Sequence, residues 1–143
     1  MPDRREDLEL IREVLIRYST GIDRRDWPLF RTCWTPDAEA DYGHLGHFSG
    51  ADAITELMVA AHRDLGSTRH QLSNFVIEVD GDRATASTYV HAVLMLSTSD
   101  PNAWIDVVGG YEDDLVRTPE GWRISRRAFH TTRLINNGGT PAS

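Results

Sequence analysis

Histidine is the side chain best suited to proton transfer near neutral pH, and a carboxylate bonded to its Nδ1 fixes the tautomer and orients the ring. Asp23 lies at the end of a helical segment next to Ile22, where it can face a pocket rather than water. His70 lies at the start of a segment with strand-like alternation. Each residue also has a structural interpretation. Asp23 would then pair with Arg24 or Arg25, and His70 would be a hydrogen-bonded sheet histidine.

Strand alternation suggests further pocket residues, because every second side chain of a strand faces the same side. Asn74 shares a face with His70 and can reach the same pocket; otherwise it is a polar sheet residue bonded to a loop. His91 shares a face with Tyr89 and apolar residues, a mixture that suits a ligand cavity. The opposite face of that strand would equally suit a core. Asn74 and His91 are therefore candidate substrate-binding residues.

Tyr111 and Arg117 lie on one predicted strand and share a face, because their positions differ by an even number. An inward arginine would stabilise negative charge on an oxyanion or a leaving group. Its alternative is a surface ion pair with Asp113 or Asp114. We count Tyr111 and Arg117 as candidate substrate-binding residues.

A possible metal site is suggested by His44 and His47, which lie in a glycine-bearing loop close to Asp41. Zinc needs three or four convergent ligands, and nothing in the sequence enforces convergence. We therefore expect no metal and assign the loop to the rim of the pocket. Cys33 is the only cysteine, which excludes an intrachain disulfide, and we interpret it as a small core residue.

The elements that must position these residues begin with helices. Apolar residues three and four apart predict a first helix from Leu8 to Ile22. Asp26-Trp27-Pro28 predicts the start of a short second helix, which we expect to bury Cys33 and Trp34 before it ends at Pro36. A short strand (38–42), a loop (43–47) and a third helix that ends at Gly66 are predicted to follow.

The second half of the chain has the period-two pattern of strands. Four strands are predicted, over 69–79, 83–97, 104–117 and 122–134, and a mobile tail is expected from about Ile135. Helices followed by a strand meander indicate an α+β fold, in which a curved, cone-shaped and mostly antiparallel sheet wraps around N-terminal helices. The concave mouth of such a sheet suits a small ligand.

Length, composition and charge exclude several classes of protein. The 143 residues are typical of one domain, and we predict that 1–143 form a single unit. A formal charge of −7 offers no electrostatic surface for nucleic acid. No run approaches the roughly 20 apolar residues that span a bilayer, and the polar N-terminus is unlike a signal peptide. We therefore expect no membrane partner and a cytoplasmic location.

Several short motifs together resemble a known family. They are, in order, Tyr18-x-x-x-Ile22-Asp23-Arg24-Arg25-Asp26-Trp27, Asp37-Ala38-Glu39, Thr68-Arg69-His70-Gln71-x-x-Asn74, Gly109-Gly110-Tyr111, Arg117 and Gly121-Trp122-Arg123-Ile124. The chain resembles the SnoaL-like branch of the nuclear transport factor 2-like superfamily, and within it the scytalone dehydratases and hexachlorocyclohexane dehydrochlorinases. The resemblance covers about residues 8 to 130.

The resemblance implies roles for individual residues. Asp23 and His70 fall on the catalytic Asp–His pair of both enzyme families, Tyr42 falls on a pocket tyrosine, and Arg117 lies near a pocket arginine. A tyrosine that precedes the aspartate in scytalone dehydratases is Ile22 here. As a general base, His70 would remove a proton next to a carbonyl or a leaving group, the first step of elimination, isomerisation and cyclisation alike.

The implied function is a cofactor-independent lyase, a dehydratase or dehydrohalogenase, acting on a small hydrophobic cyclic substrate. One alternative is a polyketide cyclase or a ketosteroid-type isomerase. Another is a non-catalytic β subunit of a ring-hydroxylating dioxygenase, which would have an occluded pocket and an obligate large partner. Whether the chain is catalytic or not, we expect a homo-oligomer, a dimer or a trimer, because the outer face of a curved sheet is often apolar and buried against a copy.

Overall fold

Helices precede most of the strands along the chain, as the α+β prediction requires. The computed structural model of the protein describes residues 3–96 and 99–138. Within these ranges the elements are α1 (Arg4–Asp23), α2 (Trp27–Arg31), β1 (Trp34–Asp41), a 3-10 turn (Gly43–Leu45), β2 (His47–Ser49), α3 (Ala51–His62), β3 (Thr68–Asp80), β4 (Arg83–Met95), β5 (Ala103–Thr118) and β6 (Gly121–Gly138). None of the described helices is long and apolar enough to cross a membrane.

The strands form one curved, open sheet in the order β2-β1-β6-β5-β4-β3. All neighbouring pairs are antiparallel except β1 and β6, which are parallel. The long strands β3 to β6 form the predicted meander, so the predicted fold class is confirmed. Helix α1 packs across this sheet against β3 and β6, and α3 packs against β1.

Helix α1 carries the first candidate residue at its C-terminal end. Its N-cap Asp3 accepts a hydrogen bond from the Arg5 backbone N–H at 2.9 Å, which satisfies one of the free donors of the first turn. Of the apolar residues that predict this helix, those from Ile11 to Ile22 are buried, whereas Leu8 is half-buried. Burying one large apolar side chain contributes roughly 1.5–3 kcal/mol to stability. Gly21 lets α1 approach α2 closely, because a Cβ there would lie 2.9 Å from Phe30. The helix ends at Asp23.

The second helix is shorter than predicted. It ends at Arg31, and Trp34 begins β1 instead of completing the helix. The reason is tertiary, because the Cys33 carbonyl accepts a hydrogen bond from the Ile124 N–H of β6 at 2.7 Å, which draws the chain into the sheet. Pro36 fits inside β1 because the pairing with β6 is irregular between Trp34 and Glu39.

Two further predictions need correction at the ends of strands. The loop predicted over 43–47 contains a 3-10 turn and the start of β2, a strand of three residues that is too short to show periodicity. The tail predicted from Ile135 is wrong as far as Gly138, because these residues continue β6 and pair with β5. Residues 139–143 of that tail, and Ser97 at the predicted end of the second long strand, lie outside the described residues.

Arg117 lies away from the candidate pocket residues, at the N-terminal end of α1. Its guanidinium donates to both carboxylate oxygens of Asp7, at 2.8 and 2.9 Å, and to Asp82 at 3.0 Å. It also lies over the ring of Trp122, whose indole N–H donates to Asp7 at 3.1 Å. The predicted substrate contact of Arg117 is therefore wrong, as is its alternative ion pair within β5. The arginine links α1 to the end of β5 and to the turn that joins β3 and β4.

We predict that Asp7→Asn destabilises the protein by about 2 kcal/mol at neutral pH, since it removes charged hydrogen bonds from a buried carboxylate. The hydrogen bond from Arg117 holds the pKa of Asp7 below its ordinary value of 3.8, although burial opposes this. Its stabilising contribution is therefore present above that value and is lost as pH falls through the folded-state pKa. Urea unfolding at about pH 7 and about pH 3 measures the difference in unfolding free energy between the wild type and the variant, and this difference should be smaller at pH 3.

The matched control for this prediction is Asp82→Asn. Asp82 binds the same guanidinium but its side chain is 82% exposed, so its loss should cost well under 1 kcal/mol. Equal destabilisation by the two variants would contradict the assigned role of Asp7.

Candidate active site

A cavity of about 340 Å³ lies between the C-terminal parts of α1 and α3 and the concave face of the sheet. Most of its wall is apolar. The polar or titratable side chains that line it are Tyr18, Tyr42, His44, His62, His70, Tyr111 and Thr131. Three of these, Tyr42, His70 and Tyr111, are among the predicted site residues. An apolar cavity with a few convergent polar groups is the usual form of a small-molecule site.

Asp23 and His70 meet at the edge of this cavity. Asp23 Oδ1 lies 2.7 Å from His70 Nδ1, and Asp23 Oδ2 accepts the His70 backbone N–H at 2.8 Å. Because an ionised carboxylate can only accept hydrogen bonds, Nδ1 carries the proton in this contact. The His70 side chain is 9% exposed and lines the cavity. In the neutral ring the other nitrogen, Nε2, therefore has the free lone pair that a base requires.

Thr68 binds the same carboxylate directly, and Arg25 supports it through the Thr68 hydroxyl. The Thr68 hydroxyl donates to Asp23 Oδ1 at 2.9 Å and accepts from Arg25 Nη1 at 2.9 Å. Arg25 also donates to the backbone carbonyls of Ile22 and Gly66, at 2.9 and 2.7 Å. The predicted structural alternative, a direct ion pair between Asp23 and Arg25, is thus replaced by a contact through a hydroxyl. This places positive charge near a helix C-terminus that would otherwise disfavour a carboxylate.

Asp23 stays ionised despite its surroundings. Burial acts to raise its pKa, but the hydrogen bonds from the His70 side chain and backbone, the charge of His70 and the Thr68 hydroxyl together hold the pKa below its ordinary value of 3.8. At neutral pH the group is therefore a carboxylate, able to orient the imidazole and to stabilise the imidazolium that forms when the ring takes up a proton.

Two tyrosine hydroxyls form a second polar feature of the cavity. Tyr18 Oη lies 2.8 Å from Tyr42 Oη, and both residues are buried. Burial raises the pKa of both phenols, so both are neutral at neutral pH. Only one of the two protons is used in the bond between them. The other hydroxyl keeps a proton that this bond does not use and that can be donated to an electronegative atom of a ligand.

The three tyrosines that line the cavity, Tyr18, Tyr42 and Tyr111, form its tyrosine wall. Arg127, which was not predicted from the sequence, lies against the rings of two of them. Its guanidinium lies 4.2 Å from the ring centroid of Tyr18 and 3.7 Å from that of Tyr111. It donates to both oxygens of Asp113, at 2.7 and 2.8 Å, and both side chains of this pair are fully buried. The sequence did contain a signal for this arginine. Asp113 shares a strand face with Tyr111 and Leu115 and is therefore expected to point inward, where a buried carboxylate needs a cationic partner.

Asn74 lies outside the cavity, contrary to the prediction. The pairing of β3 with β4 shifts between Ser73 and Val76, and Asn74 has a φ of 53°, a left-handed conformation that asparagine tolerates. This bulge adds a residue, so Phe75 rather than Asn74 turns towards the core and Asn74 is exposed. Alternation counted from His70 fails beyond the bulge.

His91 also lies outside the cavity, on the outer face of the sheet. Gln71, not His70, is its partner in β3, so the ring of His91 faces away from the cavity side. Its Nε2 lies 2.7 Å from Asp106 Oδ2, and Arg133 donates to Asp106 Oδ1 at 2.6 Å. The alternative that the opposite face of β4 suits the interior is correct, because Ala92 and Leu94 line the cavity.

Two loop histidines and one helix histidine complete the candidate set. His44 lies on the cavity rim, and His47 pairs with Glu39 at 3.6 Å. His62, the last residue of α3, lines the cavity, and its ring centroid is 6.2 Å from that of His70. The sequence signal for this position is its spacing: His62 follows Met58 by four residues and so lies on the same, buried face of the helix. In residues 3–96 and 99–138, no group of three or more His, Cys, Asp or Glu side chains could hold a metal ion.

Solved structures of other proteins share the fold of this chain. A candidate scytalone dehydratase from Novosphingobium aromaticivorans superposes with a TM-score of 0.82 at 22% identity, over 94% of this chain and 90% of that one. A type-3 hexachlorocyclohexane dehydrochlorinase from Novosphingobium barchaimii superposes with a TM-score of 0.81 at 18% identity, over 97% of each chain. Both share with this chain the fold of the nuclear transport factor 2-like superfamily.

Within that superfamily, the chain belongs to the SnoaL-like domain family, which matches residues 3–128. An uncharacterized protein of Mycobacterium tuberculosis is 36% identical over 118 residues, which is 82% of this chain and 80% of that protein. The resemblance found in the sequence is confirmed for family and fold.

We predict that Thr68→Val destabilises the protein by about 2 kcal/mol, because it leaves Asp23 and Arg25 each short of a buried hydrogen-bond partner. Chemical unfolding measures the loss. The control is Thr88→Val, since Thr88 is equally buried but its hydroxyl has no hydrogen-bond partner. That variant should be neutral or slightly stabilising. If both variants unfold alike, the Thr68 hydroxyl does not support the carboxylate.

Proposed function

We propose that this chain is a cofactor-independent lyase, in which the Asp23–His70 pair removes a proton from a small, hydrophobic, cyclic substrate. The observation that carries the proposal is the 2.7 Å contact between Asp23 and His70 Nδ1, with the imidazole lining an apolar cavity. The family and the fold support a lyase, because a dehydrochlorinase and a candidate dehydratase share the fold.

The proposed reaction is an elimination. His70 Nε2 takes a proton from the carbon next to a carbonyl group, and the electron pair of that C–H bond forms a double bond. The leaving group departs from the neighbouring carbon with its bonding pair, as halide or as hydroxide. Hydroxide takes the proton back from the imidazolium and leaves as water, whereas after halide loss the proton passes to solvent. General-base catalysis of this kind contributes roughly 10²–10⁴-fold in rate.

The tyrosine pair supplies the complementary electrophilic group in this proposal. When a proton leaves the carbon beside a carbonyl, negative charge develops on the carbonyl oxygen. The hydroxyl proton that the Tyr18–Tyr42 bond leaves unused can be donated inside a mostly apolar cavity, where a hydrogen bond to developing charge is strong. Arg127 lies against the Tyr18 ring and favours negative charge on that side.

The reaction can be tested with 3-hydroxycyclohexanone and 3-chlorocyclohexanone, which both yield cyclohexenone and so share one ultraviolet assay. We predict that Asp23→Asn and His70→Asn each lower kcat/KM by roughly 10²–10⁴-fold, after subtraction of the uncatalysed rate. Both variants lose the oriented imidazole base, because Asp23→Asn leaves the ring without its orienting carboxylate and His70→Asn removes the ring.

The outer face of the sheet offers a matched control for these variants. His91 and Asp106 make an equally short 2.7 Å contact but do not line the cavity. His91→Asn should therefore leave the rate unchanged. Activity that survives both Asp23→Asn and His70→Asn would end the lyase proposal.

We further predict that Tyr42→Phe lowers kcat by about tenfold or more with little change in KM, because the hydroxyl pair acts on charge that develops in the transition state. Steady-state kinetics with 3-hydroxycyclohexanone measure the two constants. Tyr89→Phe, at a tyrosine that is 58% exposed, serves as the control. An effect confined to KM would show that the pair binds ground state and transition state equally.

A ketosteroid-type isomerase or polyketide cyclase is the second candidate. Its specific support is that a base and a hydroxyl donor share one cavity, which is also the arrangement for enolisation without a leaving group. Exchange of substrate hydrogen for solvent deuterium without loss of water or halide would favour it. The cavity itself weighs against a non-catalytic β subunit with an occluded pocket. The homo-oligomer, the single unit over 1–143 and the cytoplasmic location stay predictions.

A further inference from the structure

We propose that His62 is a second substrate-binding residue, whose Nε2 accepts a hydrogen bond from a hydroxyl group of the ligand. The site would then select a cyclic alcohol over the corresponding halide or ether. This inference deepens the proposed function and rests on it for the reaction at His70. The contact itself is a binding property and can be tested without turnover.

His62 is placed at the cavity by the end of α3. It is the last residue of that helix, its side chain is buried, and it lines the cavity. The ring lies between two others, with its centroid 6.0 Å from Trp27 and 6.2 Å from His70. A ligand that approaches His70 therefore also comes within reach of His62.

The tautomer of His62 follows from its own helix. Nδ1 lies 2.8 Å from the carbonyl oxygen of Met58, one turn earlier. A carbonyl oxygen can only accept, so Nδ1 carries the hydrogen and donates it. In the neutral ring the proton is thereby used up on the backbone, and Nε2 carries a lone pair on the other side of the ring.

The ring is neutral at ordinary pH. Burial lowers the pKa of His62 from its ordinary value of 6.5, partly opposed by the bond to the Met58 carbonyl. The charges that face it act in both directions, because His70 and Arg25 lower the pKa and Asp23 raises it. The net shift is downward, so the ring is an uncharged acceptor rather than a cation.

No protein group satisfies this acceptor in the described part of the chain. Met58 is the only hydrogen-bond partner of the His62 ring there. Among the described residues, the buried side-chain atoms that lack a partner do not include His62 Nε2. Nε2 is therefore accessible to a ligand or a water molecule. Within residues 3–96 and 99–138, neither Tyr18 nor Tyr42 is bonded to His62, and the proton on His70 Nδ1 is donated to Asp23. The donor for His62 Nε2 is therefore expected from the ligand or from water.

Hydroxyl is the functional group that fits this acceptor. A neutral O–H donates to an imidazole nitrogen, whereas a halogen or an ether oxygen has no hydrogen to donate. A site built to bind a hydroxyl discriminates against analogues that lack it, because the polar group of the site then loses its partner. Among the two leaving groups of the proposed elimination, His62 therefore favours a hydroxylated ring.

The test is a binding comparison between 2-tetralol and its methyl ether, 2-methoxytetralin, by titration calorimetry. The wild-type protein should prefer the alcohol by about five- to tenfold, the effect of one hydrogen bond. His62→Asn retains a donor near Nδ1 for the Met58 carbonyl but lacks Nε2, so its preference should vanish. His62→Gln places an amide oxygen near the position of Nε2 and should keep part of it.

Two further measurements separate His62 from its neighbour. His70→Asn should retain the preference for the alcohol, because the alcohol is held by His62. In wild-type protein the ¹⁵N resonance of His62 Nε2 should shift with 2-tetralol and stay in place with the ether, which does not depend on any variant folding. A preference that survives His62→Asn, or an absent Nε2 shift, would overturn the inference.

The outcomes also distinguish this inference from the proposed function. If His62→Asn loses the preference while Asp23→Asn keeps full activity, the hydroxyl contact stands and the lyase mechanism fails. If the preference is independent of His62 while Asp23→Asn and His70→Asn are inactive, the mechanism stands and the role of His62 fails.

Discussion

The hydrogen bonds accepted by the Asp23 carboxylate are the contact on which both the fold and the proposed chemistry depend. Three donors, the Thr68 hydroxyl and the backbone and side chain of His70, converge on the last residue of α1. They fix the end of the helix to the start of β3 at the edge of the cavity. A carboxylate at a helix C-terminus is unfavourable by itself, so these donors also offset the field of the helix. The imidazole is consequently oriented by the same contacts that dock α1 on the sheet.

Two arginines extend this organisation along the concave side of the sheet. Arg117 binds Asp7 and Trp122 at the start of α1, while Arg127 binds Asp113 beneath the tyrosine rings. Burying a charge is costly unless it is paired, and each guanidinium here is matched by a carboxylate in bidentate geometry. One end of α1 is thus held by an ion pair and the other by a hydrogen-bonded carboxylate. Between them, the tyrosine wall of the cavity rests on a buried charge.

The two His–Asp pairs of this protein show why a short contact is insufficient to define a site. Both have a nitrogen–oxygen distance of 2.7 Å. The side chain of His70 is 9% exposed and borders an apolar cavity, whereas that of His91 is 45% exposed on the outer face. Water screens the outer pair, which does not line the cavity of about 340 Å³. Burial and the shape of the surroundings, rather than the pair itself, make Asp23 and His70 the candidate site.

The sequence by itself determined the α+β order of helices and long strands and the apolar face of α1, because one-sided burial imposes a local periodicity on neighbouring residues. The family, the pairing of Asp23 with His70 and the candidacy of Tyr42 rest on the resemblance carried by short motifs. Only the tertiary structure decided that Asn74 and His91 face away from the cavity, because a bulge and the register of β3 with β4 set the facing of each strand. It also placed Arg117 away from the cavity, put Arg127 against the tyrosines that line it, and brought His62 beside His70. Those placements depend on how separate elements pack, which no spacing within one element records.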